Sequence, residues 1–366
     1  MKKIIFVYLI LLFSCSIASQ SASTSNTPSV EKNLSVSAGE AHTLILDDGK
    51  LFAAGRNDYG QLGNGTNINT NKFLLILSGV KSISASGLYS AVLKNDDSLW
   101  MTGNNEGGQF GNGADFEATN VFLNVMSNIK SIVCGGSHSF IISNDGSLFV
   151  AGDNQKGQLG IGINTSTNRF VYVMKNISSV GCGFEFSMII SNDGTLWGAG
   201  NNNYGQLGQT GFSSTNKFIY ITNDVKAVAC GSGHAVIIKN DGSLWGIGDN
   251  QKGQLGLSGF NKTNLFVFIT NDVKSVACGQ NHTIIIMNDD SLWVCGDNYA
   301  GQLGTGDNNN LYELKKIMTD VKAISCGYNH SLVIKKDNTI YGTGYNSKGQ
   351  LGINENNTNI FVKINY

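Results

Sequence analysis

The sequence predicts an all-β fold, a closed seven-bladed β-propeller of four-stranded antiparallel blades. Three observations lead there. The string Gly-Gln-Leu-Gly begins at Gly60, Gly157, Gly205, Gly253, Gly301 and Gly349, with Gly-Gln-Phe-Gly at Gly108, always 48 or 49 residues apart. A second landmark, a glycine three residues before a histidine, ends at His42, His138, His234, His282 and His330, and Ser90 and Phe186 fill the two missing places at a spacing of 48. Seven such units occupy residues 34–366, and self-similarity at a fixed period of this length marks a repeat architecture.

In chain order, residues 1–14 come first and read as an export signal, Lys2 and Lys3 preceding the apolar run Ile4 to Phe13. That run is too short to span a bilayer. The tetrad Leu12-Phe13-Ser14-Cys15 resembles a bacterial lipobox, in which Cys15 carries the lipid that anchors the chain to a membrane; cleavage after Ala18 is the alternative. Residues 15–33, rich in Ser and Thr, read as a flexible tether. The protein is therefore expected to be exported, and either membrane-anchored or periplasmic or extracellular.

Each repeat can be read from the copy that begins at Val273. Lys274 to Cys278, His282 to Met287 and Ser291 to Cys295 are three short β-branched runs. The turn between the second and third carries Asp-Gly at 48–49, 145–146, 193–194 and 241–242, the pair expected of a type I′ hairpin. A fourth apolar segment follows the Gly-Gln-Leu-Gly loop, from Phe73 to Leu77 in the first unit and Ile360 to Ile364 in the last. Four such strands make one blade. An aromatic residue recurs in the third strand, from Phe52 to Tyr341 and including all four tryptophans, and is expected to wedge adjacent sheets together. Loop glutamines and asparagines are expected to satisfy stranded backbone groups. Residues 359–366 are expected to pair near the strand that begins at Leu34 and so seal the ring.

The order Cys230-Gly231-Ser232-Gly233-His234, then Asp241-Gly242-Ser243-Leu244-Trp245, then Gly253-Gln254-Leu255-Gly256 resembles the regulator of chromosome condensation repeat family. The resemblance implies the propeller fold. The founding member of that family is a nuclear exchange factor for a small GTPase. Constant spacing leaves no room here for the inserted wedge which that factor uses, and an export signal places the chain away from cytosolic nucleotide switches. Secreted bacterial relatives of the propeller include an inhibitor of β-lactamases.

Composition narrows function further. A net charge of −1 and only two arginines, Arg56 and Arg169, argue against nucleic acid as a partner. The histidines recur at one repeat position and read as turn or core residues. Cys134, Cys182, Cys230, Cys278 and Cys326 share another, where the first two units carry Ala38 and Ser86, so no ring of metal ligands closes. Reduced thiols are expected, with no metal and no cofactor. Neither a carboxylate pair nor a Ser-His-Asp arrangement stands out, so no catalytic residues are assigned and the chain is not expected to be an enzyme.

If recurrence builds the body, binding falls to what varies between equivalent loops. The residues before each histidine position supply Leu88, Tyr89, Phe184, Glu185, Phe186 and Tyr328 as partner-binding candidates on one face. A second variable set, headed by Arg56 and Tyr59 and including Asp58, Glu106, Tyr204, Tyr299 and Lys348, precedes the Gly-Gln-Leu-Gly strings. The expectation is a monomeric interaction scaffold for an unidentified protein partner. Alternatives are an inhibitor of a secreted or host enzyme, a propeller enzyme, and a nucleotide exchange factor.

Overall fold

A computed structural model describes residues 33–114, 117–209, 211–259, 261–354 and 356–366. The export signal, Cys15 and most of the tether lie outside the described residues. Twenty-eight strands form seven separate sheets of four, each an antiparallel meander in chain order. In the sixth blade the strands are Val273–Cys278 innermost, His282–Met287, Leu292–Gly296 and Leu311–Met318 outermost. Blades are numbered below in chain order.

Second strands are buried along nearly their whole length, as His282–Met287 illustrates, because both faces of each central strand meet neighbouring sheets. Seven apolar clusters result, one at each seam between blades. The third-strand aromatics are half-buried at the edges of these clusters, Trp100 against the seam of blades 1 and 2 and Trp245 against that of blades 4 and 5. Each such ring contributes about 2–3 kcal/mol when fully buried.

The ring joins without a shared sheet. The last strand, Thr358–Ile364, pairs with Ile340–Gly344 of its own blade and not with the strand that begins at Leu34. The first described strand, Leu34–Ala38, is innermost and blade 1 has its own outer strand, Thr70–Ser78, so it needs none from the last strand. Side chains close the seam: the Ala38 backbone N–H donates to Ser325 Oγ at 3.1 Å, Thr43 Oγ1 and His330 Nε2 meet at 3.2 Å, and Phe52 meets Tyr366 edge-on at 5.4 Å.

Register corrects one repeat assignment. Tyr89 pairs with Gly103 as His138 pairs with Gly152, so Tyr89, and not Ser90, takes the histidine place in blade 2. The cause is the blade 1 hairpin. There Asp47 pairs with Lys50 across a two-residue type I′ turn with positive φ at both Asp48 and Gly49. The Asp-Gly hairpins of blades 3, 4 and 5 are one residue longer and keep only the glycine left-handed, as at Gly146, Gly194 and Gly242. Asp97, Asp290 and Asn338 take that conformation in blades 2, 6 and 7, where a short polar side chain tolerates it. By the same register Ala85, which pairs with Ser90 as Cys134 pairs with Ser139, is the blade 2 counterpart of the cysteines.

Outer strands begin earlier than their apolar segments suggest, at Thr70, Thr119 and Thr167 for example. A Thr-Asn pair opens five of the seven and follows Lys262 in a sixth, and its asparagine bonds back to the preceding blade. Asn120 Nδ2 donates to Asn67 Oδ1, Asn216 Nδ2 to Asn164 Oδ1 and Asn359 Nδ2 to Asn308 Oδ1.

Candidate functional site

Strand direction puts two kinds of loop on one face. Turns between first and second strands lie there, and so do the Gly-Gln-Leu-Gly loops between third and fourth. In every blade the first loop residue donates its backbone N–H to a carbonyl of the turn beside it, as Arg56 does to Ala41, Asn201 to Glu185 and Tyr345 to Asn329. The two variable sets expected from the sequence therefore form a single surface, the loop face. The tight hairpins make the opposite face, and Asn33 lies among them, accepting the Asp48 backbone N–H.

The loops are rigid by construction. In all seven, the Asn of Gly-x-Asn accepts the backbone N–H of the residue after Gly-Gln, as Asn57 does from Leu62 and Asn346 from Leu351 at 2.8–2.9 Å. At the centre, adjacent turns touch through backbone. Ser232 N–H donates to the Gln280 carbonyl and Gln280 N–H to that of Tyr328. A Cβ on Gly279 would lie 2.0 Å from His282 Cε1 and 2.7 Å from the Gly327 oxygen, so glycine alone fits.

The histidines work inside this ring and do not face a ligand. All five are fully buried. Each reaches the residue after the histidine place in the next blade: His42 Nε2 meets Ser90 Oγ at 2.9 Å, His138 meets Ser187, His234 meets Thr283 and His282 meets Ser331. Ser90, Thr283 and Ser331 spend their own proton on the carbonyls of Gln61, Gln254 and Gln302. Nε2 therefore carries the proton in those three imidazoles. Burial pushes His42, His234, His282 and His330 down to about 3 and His138 to about 4. They are neutral and unsuited to acid-base work near neutral pH.

Tyr89 and Phe186 occupy the same ring and are 0% exposed. Neither can meet a partner. Tyr89 Oη donates to the His138 carbonyl at 2.6 Å and lies 3.0 Å from Ser139 Oγ, while Phe186 stands where the next blade carries Ala235 in place of a hydroxyl. The remaining candidates do reach the loop face. Phe184 is 46% exposed, and Leu88, Glu185, Tyr328, Arg56 and Tyr59 are half-buried. Phe184 of blade 4 and Tyr328 of blade 7 meet edge-to-face at 6.1 Å across the central axis. Beneath them runs an axial cavity of about 60 Å³, bordered by Cys134, Cys182, Cys230, Cys278 and Cys326. It has room for a few waters. The six described cysteines are in no disulfide, and among the described residues no three His, Cys, Asp or Glu side chains are placed to share a metal.

Aromatic and charged groups concentrate over blades 6, 7 and 1. These blades carry Tyr299, Tyr328, Tyr345 and Tyr59, and Arg56, whose Nη1 donates to Glu40 at 2.9 Å and Nε to Asp58 at 2.8 Å. Burial raises Glu40 above the usual carboxylate range, with Arg56 opposing. The hydrogen bond from Arg56 holds Asp58 low. Burial also raises Tyr328 of blade 7 and Asp297 of blade 6. Tyr345 was not among the residues the repeat comparison selected. Its place varies as Arg56, Asn104, Asp153, Asn201, Asp249, Asp297 and Tyr345, and that variation was the available signal.

Comparison with known proteins bears on the fold. A family profile described as "Regulator of chromosome condensation (RCC1) repeat" matches residues 34–61, 129–158, 177–206, 225–254, 273–302 and 321–350, and a second of the same description matches 48–93, 193–238, 241–286 and 289–334. Among solved structures, yeast RCC1 (Prp20) bound to Kap60 has 16% identity and a TM-score of 0.80, covering 100% of this chain and 90% of that one. Prp20p from Saccharomyces cerevisiae, described with its binding to Gsp1p and histones, has 18% identity and a TM-score of 0.78, covering 92% and 87%. Human WBSCR16 has 20% identity and a TM-score of 0.74, covering 84% and 88%. No curated protein sequence matches the chain.

Proposed function

The chain belongs to the regulator of chromosome condensation repeat family, and from that membership we propose that it is a protein-interaction scaffold which binds its partner on the loop face over blades 6, 7 and 1. One observation carries the reading. Groups that recur in every blade are consumed in holding the ring, whereas Tyr59, Tyr299, Tyr328, Tyr345 and Arg56 fall on three adjacent blades at places that vary, Tyr59 having a tyrosine counterpart in Tyr204 of blade 4. Tyrosine with arginine is the composition of protein-binding hot spots. The yeast propeller of like shape is described with protein partners.

An exported, lipid-anchored protein suits this geometry. Asn33 lies among the hairpins, so an anchor at Cys15 with a tether over 15–33 would turn the hairpin face toward the membrane and the loop face away from it. The test is affinity capture from the native membrane fraction with the intact chain, with a Tyr59, Tyr299 and Tyr345 triple alanine variant, and with a hairpin-face control, Asn144→Ala. Loss of the captured protein in the triple variant alone, at unchanged melting temperature, is the expected result. Equal capture by all three places the partner elsewhere.

A further inference from the structure

The glutamine of each Gly-Gln-Leu-Gly loop has two ends with different fates. Oε1 accepts the backbone N–H two residues earlier in all seven blades, from Tyr59 in the first to Lys348 in the last. Nε2 needs an acceptor, and the first loop residue supplies one in four blades. Asp153, Asp249 and Asp297 offer a carboxylate oxygen at 2.8, 2.9 and 3.1 Å, and Asn104 an amide oxygen at 3.1 Å. Asp153 and Asp249 also accept the backbone N–H two residues further on. These loops are thus shaped to hold a carboxylate.

Blades 7 and 1 carry Tyr345 and Arg56 at that place. Nε2 of Gln350 and of Gln61, both residues being 0% exposed, has no hydrogen-bond partner. A buried donor left so costs about 1–3 kcal/mol. In blade 1 the position is already taken up with Arg56, Glu40 and Asp58. Blade 7 has instead Lys348, counterpart of the Lys252 whose charge acts on Asp249 and Asp297, and Lys348 itself acts across the seam on Asp58.

We propose that the blade 7 loop takes a carboxylate from outside, an Asp or Glu side chain of the docked protein, against Gln350 Nε2 and beside Lys348, in the place that blades 3, 5 and 6 fill with their own aspartate. The half-buried Tyr345 turns off the amide to admit it and borders the incoming group. This rests on the loop face being the binding face, and names the chemical group recognised there.

The experiment follows the Gln350 side-chain amide by NMR in the intact chain, assigned by its loss in Gln350→Glu. Sodium acetate, an acetylated tri-glutamate amide and, at matched ionic strength, sodium chloride are the probes. Acetate and the peptide are expected to shift the resonance and chloride to leave it. Tyr345→Asp supplies the acceptor internally, and is expected to move the resonance without any probe and abolish the acetate response; Tyr345→Phe should keep that response. A shift with acetate and none with the peptide overturns the assignment to a protein side chain. A resonance indifferent to acetate, or unmoved by Tyr345→Asp, overturns the site itself and leaves water as its occupant. The readout needs no partner, so its failure is separate from failure of capture.

Discussion

Lowering the pH from 6.5 to 5 should destabilise this propeller steeply. The five ring histidines are buried without a partner on Nδ1, and desolvation holds their folded values at about 3, or about 4 for His138. Unfolded, each titrates near 6.5. A folded value below the unfolded one means that the unfolded chain takes up the proton first. The contribution is thus fully present above pH 6.5 and is lost as pH falls toward the folded values. Between 6.5 and 5 each histidine costs about 1.6 kcal/mol, and five together about 8 kcal/mol, against a typical total stability of about 5–15 kcal/mol. Aspartates held low by their own turns, such as Asp96, Asp193 and Asp241, give stability that is present above pH 3.8 and lost below it, a separate window. The assay is urea unfolding followed by tryptophan fluorescence at pH 7.5, 6.5, 5.5 and 5. A midpoint that falls with a slope approaching five protons is expected. The double change His282→Phe with Ser331→Ala copies the Phe186 and Ala235 seam and should remove about one fifth of that slope. A midpoint flat from pH 7.5 to 5 refutes the reasoning.

Other outcomes follow from single contacts. Gly279→Ala drives a methyl into His282 and the Gly327 carbonyl and should lower stability by about 1–3 kcal/mol in a thermal melt; an unchanged melt would mean the turns can part. Tyr89→Phe removes the bonds to His138 O and Ser139 Oγ, and should cost about 1–3 kcal/mol in urea while partner capture persists. Loss of capture at unchanged stability would return Tyr89 to the binding surface. Cys134 and Cys295, raised to about 12 by burial, should resist a thiol-specific disulfide reagent in the native protein and react only on unfolding. Rapid native labelling of either would show the seams opening.

Blade number and strand order were legible because a period of 48 leaves one way to lay four short strands in each unit. Register was not. The short hairpin at Asp48-Gly49 removes one residue from blade 1, and the loop from Gly108 to Thr119 in blade 2 restores it. The histidine spacing therefore looks unbroken across a slip, and Ser90 stands in for Tyr89. Burial of Tyr89 and Phe186 was hidden for the same reason: a residue that departs from the repeat can depart inward as readily as outward. The closing seam was hidden too, since an innermost strand at Leu34 and an apolar C-terminal strand fit either a shared sheet or two abutting ones.

Two departures from the repeat show how inward and outward changes can be told apart. At the seam of blades 4 and 5 the imidazole gives way to Phe186 and the hydroxyl that would face it to Ala235, so the two side-chain partners vanish together and neither is left stranded. In blade 7 the acceptor gives way to Tyr345 while Gln350 stays and its amide nitrogen is stranded. The first change is neutral for a ring that has only to hold together. The second costs stability in the isolated protein and can be retained at no net loss only if another molecule supplies the missing oxygen. A compensated departure therefore belongs to the framework, and an uncompensated one marks a place to be completed from outside where, as in blade 7 and unlike blade 1 with its Arg56, Glu40 and Asp58, no charged group of the chain already holds the position.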